Sequence, residues 1–185
     1  MSLPETECRQ LAAMLGDAVE QVLWPHYEGR VLAGSRQIQL RTRVGGGRAT
    51  YHRSGPRSQH LIVFGWKMVQ HKSSGWGAAV RWRSGKEMVA RSYFDGRITL
   101  NAVLAHAACH EFAHLIQSVE GGRTRGSVHN RAFYAVLDSI YGDGVADRVL
   151  AGVETGVVRA RIDDCWTIGA ELGRVKEGNR PFRSL

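Results

Sequence analysis

Acidic residues are missing from a long stretch of this 185-residue sequence. Between Gly29 and Lys86 there is no Asp or Glu, whereas the residues before this stretch are net acidic and those after it are balanced. The stretch therefore carries all of the chain's excess positive charge, which is formally +8. Its basic residues are twelve in number: Arg30, Arg36, Arg41, Arg43, Arg48, Arg53, Arg57, Lys67, Lys72, Arg81, Arg83 and Lys86.

A field of one sign attracts polyanions, and the guanidinium group matches the geometry of phosphate. We therefore expect residues 29–86, called the basic segment below, to bind DNA. The alternative is a general preference for Arg in the source genome, because 21 of the 25 basic residues are Arg. The candidate nucleic-acid contacts are Arg41, Arg43, Arg48, Arg53 and Arg57.

Cysteine is also scarce. Cys8, Cys109 and Cys165 are odd in number and form no CxxC pair, which argues against a disulfide framework and against a cysteine zinc ribbon. No apolar run approaches the ~20 residues that span a bilayer, and no signal-peptide pattern is present. We expect a cytoplasmic protein, free in the cytoplasm or associated with the nucleoid, without a membrane partner and folded as one domain over residues 1–185.

Apolar periodicity predicts an N-terminal helix over residues 4–24, followed by a basic strand region over residues 29–93. The first two strands are expected to form a hairpin around Gly45, Gly46 and Gly47, and the third is apolar enough to lie in the centre of a sheet. The segments predicted as strands are residues 31–43, 48–53, 61–69, 78–82 and 87–93.

Two further helices are predicted within residues 101–141. The first follows Asn101 as N-cap and ends at Gly121, and its Ala-rich and Leu-rich sequence indicates a buried helix. The second starts at His129 behind Ser127, another good cap. A last helix is predicted over residues 143–153, and residues 155–185 are expected to be an irregular tail.

The first of these helices contains His110, Glu111 and His114 in the pattern HExxH. Four residues advance a helix by roughly 400° and ~6 Å, so both imidazoles project from one face and can bind a single ion. Glu111 is rotated by about 100° from His110, beside the ion, where a carboxylate can accept a proton from water. The pattern therefore predicts a metal-dependent hydrolase.

A catalytic zinc ion has three protein ligands as a rule, so a third ligand is needed. The metzincin spacing requires Gly and His where this chain has Gln117 and Glu120, which argues against that class. The remaining candidates are Glu154, near the end of the last helix, and His129, which is favoured because a Gly-containing loop lets its helix fold back.

HExxH followed by His129-Asn130-Arg131-Ala132-Phe133 resembles the core of the SprT-like metallopeptidases, in which a third His followed four residues later by Phe completes the zinc site. The resemblance implies Zn²⁺ as cofactor, with His110, His114 and His129 as its ligands and Glu111 as catalytic acid/base. It also implies an α+β fold with helices packed on a small antiparallel β-sheet. The expected activity is hydrolysis of a protein or peptide, such as a DNA-associated protein.

A non-catalytic alternative stays open, in which the same histidines hold a structural zinc in a nucleic-acid-binding protein. Structural zinc sites are normally closed by a fourth protein ligand, and no Cys stands at an obvious fourth position. This favours the enzyme. His106 lies one turn before His110 and is expected to be a core residue or to support the ligands from behind, because three ligands from one straight helix would strain the site.

Overall fold

In a computed structural model, the described residues are 2–33, 37–56, 58–75, 83–123 and 127–159. They form an α+β fold, which confirms the predicted class. The helices are α1 (Glu5–Ala18), α2 (Trp24–Leu32), α3 (Trp66–Ser73), α4 (Arg83–Ala90), α5 (Leu100–Val119), α6 (Arg131–Gly142) and α7 (Val145–Arg159). The strands are β1 (Gln39–Gly45), β2 (Tyr51–Ser54) and β3 (Gln59–Gly65).

The N-terminal helix is longer than predicted. After α1 the chain passes through a π-helical turn (Val19–Leu23) directly into α2. Pro25 does not interrupt it, because it lies in the first turn of α2, where no backbone N–H is needed. Val31, expected to begin a strand, is therefore a buried helical residue.

The sheet is mixed, with strand order β1-β3-β2. β1 runs parallel to β3, whereas β2 is antiparallel to it, so the expectation of a wholly antiparallel sheet was wrong in this detail. The expected hairpin was also wrong, since β1 and β2 lie on opposite sides of β3. β3 takes the centre because it is the most apolar strand, with Ile62 and Phe64 fully buried. It ends at Gly65, and the chain continues as α3.

The strand predicted over residues 87–93 is instead helix α4 followed by a turn at Tyr93–Gly96. A short apolar run cannot by itself distinguish a strand from a helix, and here the adjacent residues Glu87 and Met88 are both buried, as helix packing allows and strand alternation does not. The strand predicted over residues 78–82 lies outside the described residues.

Helix α5 lies in the core and contacts β2, α1, α4, α6 and α7. All residues from 102 to 109 are buried, as expected from their apolar sequence. Its cap is Thr99, not Asn101: the Thr99 side chain accepts a hydrogen bond from the Ala102 N–H. Likewise α6 is capped by Asn130, whose side chain accepts from the Phe133 N–H, and not by Ser127.

Helix α7 continues to Arg159 and so includes the first residues of the predicted irregular tail. The remaining tail lies outside the described residues. Within the described part of the chain, no helix combines the length and apolarity that crossing a bilayer requires.

Candidate metal centre

The two histidines of the HExxH pattern project from one face of α5, as the helical spacing predicted. The rings of His110 and His114 are 4.9 Å apart between centroids. The third histidine reaches them from the residues just before α6: His129 Nε2 lies 3.0 Å from His110 Nε2 and 3.2 Å from His114 Nε2. These are called the centre histidines below.

These separations fit a metal ion. Nitrogen ligands at the usual zinc distance and tetrahedral angle lie about 3.3 Å from one another. A neutral imidazole has only one N–H, so three converging nitrogens cannot all be satisfied by hydrogen bonding among themselves, whereas one cation can accept a lone pair from each. The ligating atoms of the three residues all lie within 4.8 Å of one another.

The loop between α5 and α6 is built to bring His129 back to α5. Gly121 adopts the left-handed backbone conformation at φ 72°, and the Gly122 N–H donates to Gln117 O at 2.9 Å, which ends α5 in a Schellman-type turn. The Gln117 amide nitrogen then lies 2.9 Å from Val128 O and 3.1 Å from Asn130 Oδ1. Gln117 therefore fastens both residues that flank His129.

Two of the centre histidines have an acceptor behind the ring. His110 Nδ1 lies 2.9 Å from Glu87 Oε2, and His114 Nδ1 lies 3.2 Å from Gln117 Oε1. When Nδ1 carries the proton and donates it to these oxygens, Nε2 has a free lone pair directed at the centre. The arrangement selects the ring tautomer that a metal ligand requires.

His129 is held differently. Its Nδ1 lies 2.6 Å from Arg83 Nη1, and because a guanidinium group can only donate, this contact makes Nδ1 the acceptor. Metal ligation through Nε2 would instead place the proton on Nδ1, opposite the guanidinium. If His129 bound a metal ion through Nε2, the exposed Arg83 side chain would therefore have to turn away.

Phe133, the residue that the family resemblance singled out, packs against all three rings. Its centroid lies 4.3 Å from that of His114, 4.8 Å from that of His129 and 4.9 Å from that of His110. The side chain is fully buried. It forms an apolar floor that keeps water from one side of the centre.

Glu87 was missed by the sequence reasoning, which placed it in a strand. It is 7% exposed and contacts His110, His106 and the hydroxyl of Tyr134. Burial raises the pKa of Glu87, but the hydrogen bonds from His106 and His110 outweigh burial, so the net shift is downward and the carboxyl is ionised. The signal in the sequence was its position, since Glu87 is the first acidic residue after the basic segment.

His106 is fully buried behind His110, consistent with the supporting position expected for it. Burial lowers its pKa to about 4, so the ring is neutral at pH 7. Its Nε2 lies 3.1 Å from Glu87 Oε2, and its Nδ1 lies 2.8 Å from the Tyr141 hydroxyl. Both ring nitrogens thus have partners.

Glu111 is 8% exposed, and its carboxyl group is near enough to His110 and to the His52 backbone of β2 for both to affect its pKa. Burial raises its pKa, and the opposing effects of His110, of the His52 backbone N–H and of Lys72 do not cancel that shift. A carboxyl group with a raised pKa is a stronger base when ionised, as general-base chemistry near neutral pH requires.

Two of the centre histidines have pKa values well below the ordinary value of imidazole. Burial, reinforced by repulsion from His110, lowers the pKa of His114 to about 3 and that of His129 to about 4. Both rings are therefore neutral at pH 7, but the Nε2 proton of His129 would have to move to Nδ1 before Nε2 could bind a metal ion.

Glu154, the alternative third ligand, is exposed on α7. Within the described part of the chain, two groups of side chains are compact enough to hold a metal ion, and Glu154 belongs to neither. One group is formed by the centre histidines and the other by Glu87, His106 and His110. Among the described residues, His129 and not Glu154 therefore completes a compact group with His110 and His114.

The predicted nucleic-acid contacts lie elsewhere, on the sheet. Arg41 and Arg53 are both in register with Leu61 of β3, which places all three in one row on the solvent-facing side. Arg43 follows on the same face, and Arg48 is exposed in the loop after β1. Arg57 lies outside the described residues.

Comparisons of the chain with known protein families, with curated proteins and with solved structures found no match.

Proposed function

We propose that the protein is a zinc-dependent peptidase similar to the SprT-like enzymes, with His110, His114 and His129 as ligands and Glu111 as the general base. The observation that carries the proposal is the convergence of three Nε2 atoms, at 3.0 and 3.2 Å, beside a buried carboxylate. The donor set also fits the ion, because neutral imidazoles are common zinc ligands.

A zinc ion held by His110, His114 and His129 would supply Lewis-acid chemistry for the scissile carbonyl and for water. The chain supplies the rest. Glu111 accepts a proton from the attacking water and returns it to the leaving amine. The His52 backbone N–H and the positive charge of Lys72 both favour the ionised form of the Glu111 carboxylate.

The catalytic role is favoured over a structural zinc site by the number of ligands. Three protein ligands leave one position for water or substrate, whereas structural sites usually have four. In the described ranges, Cys8 and Cys109 are buried and belong to neither candidate metal group, so no thiol closes the centre.

The test is Glu111→Gln, which keeps the side-chain shape and removes the base. We expect bound zinc to be unchanged and cleavage to fall by about 10²- to 10⁴-fold, the usual contribution of general acid–base catalysis. Zinc content is measured by elemental analysis and cleavage with a fluorescent unfolded protein. Cleavage by Glu111→Gln at the wild-type rate would remove Glu111 from the mechanism.

The charge of the sheet supports DNA as a partner, so the proposed substrates include proteins held on DNA. The row of Arg41, Leu61 and Arg53 lines a depression of about 690 Å³ in which no acidic side chain takes part among the described lining residues. Its guanidinium groups can contact phosphates, while Leu61 adds an apolar surface between them.

DNA binding is measured as a function of salt. The double variant Arg41→Ala/Arg53→Ala should weaken binding and reduce the salt slope by about one for each phosphate that is no longer neutralised. Arg148→Ala, on α7 and outside the basic segment, is the matched control. Salt-dependent DNA binding by a wild-type protein that cleaves no protein, even with DNA present, would favour the non-catalytic alternative with a structural zinc.

A further inference from the structure

We propose that Glu87 is a positioning residue of the metal centre, which fixes the ring orientation and tautomer of His110 and thereby sets the affinity for the metal ion. The proposal rests on the metal centre of the proposed function, although not on peptide cleavage. It assigns a role to a side chain on α4 that is remote in sequence from the HExxH pattern.

The Glu87 carboxylate is surrounded by hydrogen-bond donors. Oε2 lies 2.9 Å from His110 Nδ1 and 3.1 Å from His106 Nε2, while Oε1 accepts a hydrogen bond from the Tyr134 hydroxyl at 3.0 Å. Three donors from α5 and α6 thus meet on one buried carboxylate. Since the donors belong to two different helices, the carboxylate has little freedom to move.

The tautomers follow from this geometry. An ionised carboxylate only accepts, so both His110 Nδ1 and His106 Nε2 must carry protons. His106 can then accept a hydrogen bond from the Tyr141 hydroxyl at Nδ1, so that each ring nitrogen of His106 has a compatible partner. His110, protonated at Nδ1, directs the Nε2 lone pair toward His129 and the metal position.

Glu87 could instead be read as a ligand, because Glu87, His106 and His110 form the second compact group. Ligation there would require a lone pair on His106 Nε2 and on His110 Nδ1, the two nitrogens that now donate to the carboxylate. It would also leave His114 and His129 converging on His110 without an ion between them. A supporting role for Glu87 explains the arrangement of both groups. Ligation by Glu87 would explain only the group of Glu87, His106 and His110.

Partners behind a metal-bound histidine typically change metal affinity or activity by about 10- to 100-fold when they are removed. We therefore expect Glu87→Ala to weaken zinc binding by about that factor. Glu87→Gln should have a smaller effect, because its amide oxygen can still accept from His110 but its amide nitrogen cannot accept from a second partner. Glu154→Gln, an exposed acid on α7, is the matched control and should bind zinc as the wild type does.

The experiment has two readouts. Zinc affinity is measured by competition with a chromophoric chelator, and the His110 tautomer is measured by ¹⁵N NMR of the metal-free protein labelled at histidine. We expect the Nδ1–H form in the wild type and loss of that form in Glu87→Ala. The tautomer readout separates positioning from mere stability, because a variant that is only less stable keeps the wild-type tautomer in its folded fraction.

Wild-type zinc affinity and an unchanged tautomer in both Glu87 variants would overturn the proposal. Glu87→Gln, which keeps the size of the side chain, decides the matter should Glu87→Ala fail to fold. A different result would overturn the proposed function: a wild-type protein that binds zinc through its three histidines but cleaves no protein. A wild type that does not bind zinc would overturn both, and that measurement is made first.

Discussion

Among the described residues, two groups of buried or half-buried histidines differ in what surrounds them. The centre histidines, from α5 and the loop before α6, meet through three Nε2 atoms. The sheet histidines, His52 and His60, lie on β2 and β3 with their rings stacked at 11° between planes and 5.2 Å between centroids. Both groups contain rings that burial holds neutral, but only the first has the geometry of a metal site.

The pKa does not separate the two groups. Burial lowers the pKa of His52 to about 3, the same value that it reaches at His114. The difference lies in hydrogen bonding: His52 Nε2 and His60 Nδ1 are 2.9 Å apart and share one proton as a simple pair. The centre histidines differ from the sheet histidines in the convergence of three Nε2 atoms and in the acceptors behind His110 and His114. Burial alone does not distinguish the two groups.

The largest predicted effect is loss of the metal. His129→Ala removes one of three ligands, so we expect stoichiometric zinc and all measurable cleavage to be lost, because two imidazoles on one helix cannot complete the site. His60→Ala removes a buried histidine of the sheet pair and should keep zinc. Elemental analysis after dialysis measures both, and zinc retained in His129→Ala would show that another group serves as the third ligand.

The second-largest predicted effect is the loss of folding stability when zinc is removed. An ion that binds only the folded state stabilises it by about 2.7 kcal/mol when its free concentration is one hundred times the Kd. We expect the wild type and His60→Ala to lose this stabilisation in a chelator, measured as the free energy of unfolding in urea. His129→Ala should unfold alike with and without chelator, and a chelator effect of wild-type size in that variant would contradict a role for His129.

Acid should destabilise the metal-free protein through both groups. His52 and His114 have folded-state pKa values of about 3, below the ordinary value of 6.5, so between these values the unfolded chain binds more protons than the folded one. Stability is therefore complete above about pH 6.5 and falls as the pH drops toward 3, by about 1.4 kcal/mol per pH unit for each such histidine.

Urea unfolding in chelator at pH 7, 6 and 5 measures this slope. His52→Asn should reduce the dependence of the unfolding free energy on pH by the contribution of one histidine. His114→Asn should reduce it by the same amount, because the two rings are buried alike. With saturating zinc, protons must also compete with the ion for the centre histidines, so the acid loss should become steeper in the wild type. A slope unaffected by either variant would mean that neither ring is held neutral by the fold.

The sequence was most informative where chemistry depends on local spacing. His110, Glu111 and His114 are one helical turn, so their common face followed from helix geometry alone. His129 needed the Gly-containing loop and the family resemblance as further support, because it lies outside α5. Glu87 could not be found in this way: its approach to His110 depends on α4, which short-range apolar patterning could not distinguish from a strand.

The sheet illustrates the same limit. The segments containing β1, β2 and β3 were recognised from their apolar and alternating residues, yet their pairing was wrong, because strand order is decided by non-local burial of β3 between the other two. From the sequence, Gln117 likewise indicated only that the chain does not follow the metzincin spacing. In the fold it accepts from His114 and fastens the loop that carries His129, a role that depends on Gly121 turning the chain back.

The smallest predicted effect tests that role of Gln117. Gln117→Met fills the same space but can neither accept from His114 Nδ1 nor donate to Val128 O, so zinc affinity should fall by up to about tenfold. The loss is expected to be smaller than in Glu87→Ala because a neutral hydrogen bond contributes about 1 kcal/mol, while one to a charged group contributes about 1.5–3 kcal/mol.

Gln117→Glu separates the two functions of this side chain. A carboxylate accepts from His114 at least as well as the amide does, but it repels Val128 O and Asn130 Oδ1, which the amide nitrogen now contacts. If support behind His114 matters more, Gln117→Glu should bind zinc more tightly than Gln117→Met. If fastening the His129 loop matters more, both variants should be equally weak, and chelator competition distinguishes the two results. An affinity equal to wild type in both variants would remove Gln117 from the features that distinguish the centre from the sheet histidines.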